Sequence, residues 1–539
     1  MTPSRMTANR QIARAAGTVM LAIVLGQLAG LARSILVARA FGASPELDAF
    51  LAANRVSETL FLLVAGGALG SAFIPTFTGF LAKCETDSAW RLAASIANAV
   101  TLTLSLLAVF AAIFAPQIVR YLLAPGFSTD PHLFALTASL LRIQLISAVL
   151  FGLGGLVVGI LNAHQIFLVP ALTPAMYQLG IIFGAVVLAP SMGIYGLAWG
   201  VVIGAVFYLL LQVPSLLKVT PHPLPLREAP LWGFPSKGVG LDLDNPSVRQ
   251  VILLMGPRLL GVAVVQLNFW VNTWLASQMS AGSVTGLYYG FSLMLMAQAA
   301  IAQSVAIAAM PTFSAQHALG QTDEMRASLA ASLRGVILLA LPASLGLILL
   351  REPLVGLLYQ RGQFDERALQ LVAWPLLWYA AGLVGHSIME VLTRAFYAQQ
   401  DTKTPVLIGT VAMILNVVFS FTFSKWFAQT GWMPHGGLAL ANSLATALEA
   451  ATLFIVMRVR LKGIEGRNLL RGFAAASVAA LGMSLALIWW SQAAGGLNRW
   501  IVVLGGVLIG GIVYGMIVFA LRVPEVHALT SALRRRLTK

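Results

Sequence analysis

Apolar windows recur along the whole chain, each long enough to cross a bilayer and each bounded by charge, proline or glycine. Fourteen stand out: roughly 17–41, 47–80, 90–115, 132–162, 168–189, 192–217, 248–278, 284–314, 326–350, 367–398, 404–425, 436–460, 468–493 and 498–521. They are called spans 1 to 14 below. Their runs are continuous and do not alternate with a period of two, so they predict helices and exclude a membrane β-barrel. Several are longer than a straight crossing needs, which predicts tilt, kinks or helical extensions. Arg5, Arg10 and Arg14 precede span 1, and no small-residue cleavage site follows a short apolar core. Span 1 therefore reads as a retained helix and not as a removable leader.

The polar stretches between spans set the topology. With the N-terminus on the cytoplasmic side, the loops on that side and the C-terminal tail carry most of the basic residues: Lys83 and Arg91, Lys218 to Arg249, Arg326, Lys403, and the run from Arg458 to Arg471. Arg120, Arg351, Arg361, Arg367, Lys425 and Arg499 fall on the other side. The bias is roughly three to one, in the sense of the positive-inside rule, and an even number of spans puts both termini in the cytoplasm. The longest polar break, 219–246, holds six prolines and separates six spans from eight.

The two parts share sequence. Ala72-Phe73-Ile74-Pro75-Thr76-Phe77 in span 2 matches Ala308-Ala309-Met310-Pro311-Thr312-Phe313 in span 8, 236 positions on. Ala163-His164-Gln165, then Pro170, matches Ala398-Gln399-Gln400, then Pro405, 235 positions on. Nearly equal offsets predict a duplicated six-helix unit. Six is even, so the copies would be parallel repeats about an axis along the membrane normal, a transporter design with a central cleft. The predicted fold is all-α and polytopic: a bundle at 10–218, a cytoplasmic linker at 219–246, a second bundle at 247–461, and two extra helices at 467–521.

Composition narrows the function classes. The 539 residues are 58% hydrophobic and 10% charged, which excludes a soluble globular enzyme and a disordered chain. The net charge of +15 arises at span ends, so it points to the membrane surface and not to nucleic acid. One cysteine, Cys84, allows no intrachain disulfide and no thiolate metal cluster. There is no phosphate-binding Gly-x-x-x-x-Gly-Lys loop, no His-Glu-x-x-His pair and no histidine cluster at ligand spacing, so neither a cofactor nor a metal is expected.

Polar groups inside the spans remain as candidate chemistry, because they are costly there and usually face the interior or water. Span 1 carries Gln27, Arg33 and Arg39; span 2 Asp48, Arg55 and Glu58; span 4 Arg142; span 7 Arg258, Gln266, Asn268 and Asn272; span 10 His386, Glu390 and Arg394; span 12 Asn442 and Glu449. Guanidinium matches phosphate oxygens in pairs, so such a set suits a polyanionic head group. Each residue also has a plainer role. Arg39 and Arg142 can snorkel to lipid headgroups. Arg55–Glu58 and Glu390–Arg394 can simply pair along one helix face. Asp48 can start its helix, and His386 can be a satisfied interhelical hydrogen bonder. Arg33 and Arg258 have the least such explanation.

Gly30-Leu31-Ala32-Arg33, Val37-Ala38-Arg39, Phe41-Gly42-Ala43 and Asp48-Ala49-Phe50 resemble the first two helices of the MurJ (MviN) family. Ala72-Phe73-Ile74-Pro75, Ala124-Pro125-Gly126-Phe127, Gly159-Ile160-Leu161-Asn162-Ala163, Met255-Gly256-Pro257, Tyr288-Tyr289 and Gln399 to Pro405 continue the resemblance, in order, over about 10–520. It implies a member of the multidrug/oligosaccharidyl-lipid/polysaccharide exporter superfamily that flips lipid II, the undecaprenyl-pyrophosphate-linked cell-wall precursor, across the bacterial plasma membrane. It further implies drive by membrane potential or a monovalent ion, and a groove for the prenyl tail at spans 13 and 14. Lipid II or a similar glycolipid, membrane lipids and cell-wall synthesis proteins are the implied partners. Arg33 and Asp48 match functional family positions, and Arg55 stands where a basic residue is common. Four positions depart: Gln27, Phe61 and Ser292 replace arginines and Gly66 replaces an acid, with Arg258 a candidate substitute. The expected binding set is Arg33, Asp48, Arg55, Arg258, Gln27 and Asn272. The rival readings are an exporter of another polyprenyl-linked or amphipathic solute and a non-transporting scaffold. An integral-membrane enzyme ranks last, since no nucleophile or acid–base constellation stands out.

Overall fold

The computed structural model describes residues 3–64, 68–220, 241–242 and 244–522; side chains at 3–19, 21, 23, 64, 68–71, 256–258, 260, 261 and 264 lie outside this description. Most of the linker at 219–246 and the tail beyond 522 therefore lie outside the described residues. The rest is helical, with no strand among the described residues. Among the described residues, eleven helices are long and apolar enough to cross a membrane, or twelve when the pair Glu366–Ala381 and Leu383–Ala398, bent by 49°, counts as one. Spans 2 and 7 are helical as well, so the structure is compatible with fourteen spans. Span 2 is described as Pro45–Val64 and Ala68–Ala82, with 65–67 outside the described residues, and span 7 is Pro246–Ala276. The chain is a multi-pass membrane protein. Its surface agrees: Leu106, Phe110, Leu407 and Leu485 are each 59–71% exposed, a coat that suits lipid and not water.

Contacts divide the chain into two units, Met1–Ala281 and Gly282–Lys539. Span 7 thus packs with the first six spans, whereas the sequence repeat groups it with the later ones. Within the first unit, Phe73, Phe77, Trp90, Leu92 and Ile96 join Leu156 and Ile160 in one buried core. Within the second, Phe313, Met325 and Leu329 join Phe396, Leu453 and Met457.

Local geometry repeats at the offset found in the sequence. Pro75 and Pro311 each sit inside a helix, and Phe77 and Phe313 are both fully buried. Gln165 and Gln400, 235 positions apart, both close a turn in the left-handed region at φ 61° and 60°. Immediately after them, Ile166 N–H donates to Leu161 O and Asp401 N–H to Phe396 O. Cys84 and Gly320, 236 positions apart, have φ 59° and 68°. Asp130 caps Pro131–Ala163 by accepting from the His132 and Leu133 amides, and Asp365 caps Glu366–Ala381 by accepting from Ala368 N–H. The fold is a duplicated six-helix unit with two added helices, Gly466–Ala493 and Arg499–Ala520.

Small residues let the backbones touch. Span 5 presents Gly180 and Gly184, and span 6 presents Gly196, Gly200 and Gly204. A Cβ on Gly180 would lie 2.1 Å from Gly204 Cα, and one on Gly184 would lie 2.6 Å from Gly200 Cα. This is the small-xxx-small packing that holds membrane helices together where no hydrophobic effect drives them. In span 4, Gly152 and Gly154 make room for Leu104 and Tyr208 in the same way.

Candidate functional site

In the first unit, spans 2 and 7 join around Arg55. The helix Pro45–Val64 places Arg55, Glu58 and Thr59 within one turn, since residues three and four apart share a face. Span 7 supplies Gln266, Phe269 and Trp270 by the same periodicity. Arg55 Nη1 donates to Glu58 Oε2 at 3.0 Å, and its guanidinium carbon lies 4.9 Å from the centre of the Phe269 ring. Arg55 Nε is buried with no hydrogen-bond partner. Thr59 fastens the backbone beneath: its hydroxyl donates to Arg55 O at 2.6 Å and accepts from Trp270 Nε1 at 2.9 Å, with Gln266 Oε1 at 3.4 Å. The guanidinium is thus stacked, half-neutralised and left with donors to spare.

The remaining expected site residues are spread along the same unit. Arg33 lies in the inner part of Pro3–Phe41 and is half-buried, one residue before Ser34, whose hydroxyl donates to Gly30 O. Asp48 is 2% exposed in the first turn of its helix, where the helix dipole favours a carboxylate. Gln27 is exposed on span 1. Asn272 is half-buried and donates to Asn268 Oδ1 at 3.3 Å. Arg258 falls within span 7, but its side chain lies outside the described residues. Span 7 holds Arg55 through the Phe269 ring. Thr59, Phe269 and Trp270 escaped the sequence reading, although Thr59 lies four residues from Arg55 and Trp270 four from Gln266.

Where the family pattern would place arginines, the structure shows other chemistry. Phe61 packs on Phe151 with ring centres 5.0 Å apart, and Phe151 contacts Tyr177 and Tyr208 at 4.9 and 5.4 Å. The Ser292 hydroxyl is bonded to Tyr288 O in its own helix. Gly66 lies outside the described residues.

Span 7 is clasped at its other end. Gly126 N–H donates to Ser277 Oγ, and Trp274 Nε1 donates to Tyr121 O. A Cβ on Gly126 would fall 2.0 Å from Ser277 O, so only glycine fits this approach.

Three other candidate groups within the spans are bonded inside the protein. Arg142 Nε donates to Ala112 O, Glu390 pairs with Arg394 at 3.1 Å, and His386 Nε2 is 3.2 Å from Asn442 Oδ1. At the turn after span 10, outside the membrane-spanning segments, the Thr404 hydroxyl and amide bond the Asp401 carboxylate, and Arg460 pairs with it at 2.7 Å. Together they hold its pKa down at about 2. No group of three or more potential metal ligands occurs among the described residues.

The family model described as "Lipid II flippase MurJ" matches residues 37–505. A curated lipid II flippase from Burkholderia cenocepacia is 33% identical over 453 residues, 83% of this chain and 84% of that one. A protein described as a probable lipid II flippase from Vibrio cholerae is 28% identical over 83% of each chain. Among solved structures, one titled as a lipid II flippase in an inward closed conformation aligns with a TM-score of 0.76 at 22% identity, covering 97% of this chain and 99% of that one. An inward-facing multidrug resistance MATE family transporter of the MOP superfamily aligns at 0.65 and 15% identity, over 81% and 94%. At such identities the structures attest the fold, while the family model and the Burkholderia relative carry the assignment: the chain belongs to the MurJ lipid II flippase family.

Proposed function

We propose that this chain flips lipid II from the inner to the outer leaflet of the bacterial plasma membrane, for cell-wall synthesis, by exposing a head-group site alternately to the two faces. Both termini lie in the cytoplasm in this reading, and membrane potential or a monovalent ion supplies the drive. Arg33, Arg55 and Arg258 bind the pyrophosphate; Gln27 and Asn272 add hydrogen bonds, and Asp48 fixes the start of span 2. The observation that carries the reading is Arg55. It is a guanidinium kept inside a membrane helix, stacked on Phe269, with unused donors. Such a group is expensive unless an anion uses it.

The test is growth rescue in cells depleted of their own flippase, together with flipping of fluorescent lipid II in proteoliposomes. Rescue by the wild-type chain is expected. Losing one charge-assisted contact costs about 1.5–3 kcal/mol, so Arg33→Ala and Arg55→Ala are each expected to lower flipping about 10- to 100-fold at subsaturating substrate. Full rescue by the double variant would overturn the site.

The aromatic group at Phe61 favours a second reading, in which the cargo is another polyprenyl-linked glycan. Rings at that place suit an apolar or sugar face better than a phosphate. A panel of glycans on one polyprenyl diphosphate separates the two readings, since the first requires lipid II to be the best substrate.

A further inference from the structure

We propose that Glu58 is a surrogate anion: it occupies Arg55 while no head group is bound and yields the guanidinium to an incoming diphosphate. The inference rests on the flippase reading above and adds a regulation of that site.

The two partners are unequal. The Arg55 side chain is 18% exposed, whereas that of Glu58 is 42% exposed. Arg55 is stacked over Phe269, and its carbonyl is bound by Thr59, which Trp270 holds in turn. Glu58 has no bond among the described residues besides the one to Arg55. The cation is therefore fixed, and the carboxylate is free to swing on its own helix turn.

The pair is also incomplete. An arginine and a carboxylate paired for structure alone favour two parallel bonds. Here one of five N–H donors is used, through Nη1, and Nε is sealed from solvent without an acceptor. A diphosphate has more oxygens than a carboxylate and can engage the idle terminal Nη donors as well as the one Glu58 uses, so it outcompetes Glu58. When the head group leaves, Arg55 does not remain an uncompensated charge inside the membrane, because Glu58 returns. Exchange of one anion for another keeps the site neutralised at both ends of the cycle, and return of the carboxylate assists release.

Glu58→Gln tests this by keeping shape and removing charge at a half-exposed position. The full-length chain is titrated in detergent with inorganic pyrophosphate and assayed in proteoliposomes with fluorescent lipid II. Binding of pyrophosphate is expected to tighten about 3- to 10-fold, and the half-saturating lipid II concentration to fall by a similar factor. The maximal flipping rate is expected to fall at least about 3-fold, because release is no longer assisted. Glu58→Asp, which keeps the charge on a shorter arm, is expected to fall between wild type and Glu58→Gln in both assays. Unchanged binding and rate in Glu58→Gln, with only a shift in Tm, would make the pair structural and overturn the exchange while leaving lipid II flipping intact. Tighter pyrophosphate binding in Glu58→Gln, by a chain whose wild type does not flip lipid II, would uphold the exchange and overturn the flippase reading.

Discussion

Arg55 depends on neighbours that are near and far in the chain. Glu58 is one turn away and visible from spacing alone. Trp270 and Gln266, more than 200 positions on, fasten Thr59, and nothing local announces that contact. Trp270→Phe keeps the ring but removes the indole donor to Thr59. We expect it to cost about 1 kcal/mol, read as a lowered Tm of the purified protein, and to weaken pyrophosphate binding less than Arg55→Ala does. At the turn after span 10, Asp401 makes a prediction about pH. Thr404 first, and Arg460 with it, hold the carboxyl near 2, below the ordinary value of about 4. A depressed folded pKa means stability that is present above the unfolded value and lost as pH falls through the folded one. The Tm advantage of wild type over Asp401→Asn is therefore expected to persist at pH 6 and to shrink between about pH 4 and pH 2, followed by thermal unfolding in detergent. The Asp-Thr-Lys-Thr-Pro sequence was legible as part of the turn between spans 10 and 11, but its partner Arg460 was not, because nearly 60 residues intervene.

Helices were the most legible elements. Long apolar runs dictate helix in lipid because every backbone group must be satisfied within the segment, and the fourteen windows are all helical where described. Breaks within spans were harder to read. Span 10 bends by 49° between Ala381 and Leu383, where Gly382 lies against Ser443 of span 12. A window average passes over such a joint. The contact of spans 5 and 6 was also hidden, since glycine spacing shows which residues are small and not which helix faces them. Gly180→Val places branched carbons into the Gly204 backbone. The spans would separate, with an expected loss of at least about 1–3 kcal/mol, read as reduced yield and Tm. Gly335→Ala is the control: it lies inside the helix Thr322–Leu349 with nothing within 4 Å of its Cβ, so no loss of Tm is expected.

Duplication governs the molecule as a whole. Two short matches at offsets of 235 and 236 foretold caps, left-handed turns and buried phenylalanines at matching places, because the same local chemistry was copied with the sequence. The copies then diverged in their polar groups. Span 2 carries Arg55 and Glu58, while span 8, its counterpart, has Phe291 and Met294 at the matching places. Asp130→Ala and Asp365→Ala remove equivalent caps, so each is expected to lower stability by about 1 kcal/mol, with similar shifts in Tm. Unequal shifts would show that the copies no longer share their local energetics. One residue of the first copy has a practical consequence. Cys84 is exposed, stands in the left-handed turn that follows span 2, and is the sole thiol of the chain. A membrane-impermeant maleimide will therefore attach one dye per molecule with no engineering. Protection of intact cells from that dye, and its uptake once they are permeabilised, reports which face of the bilayer this loop occupies.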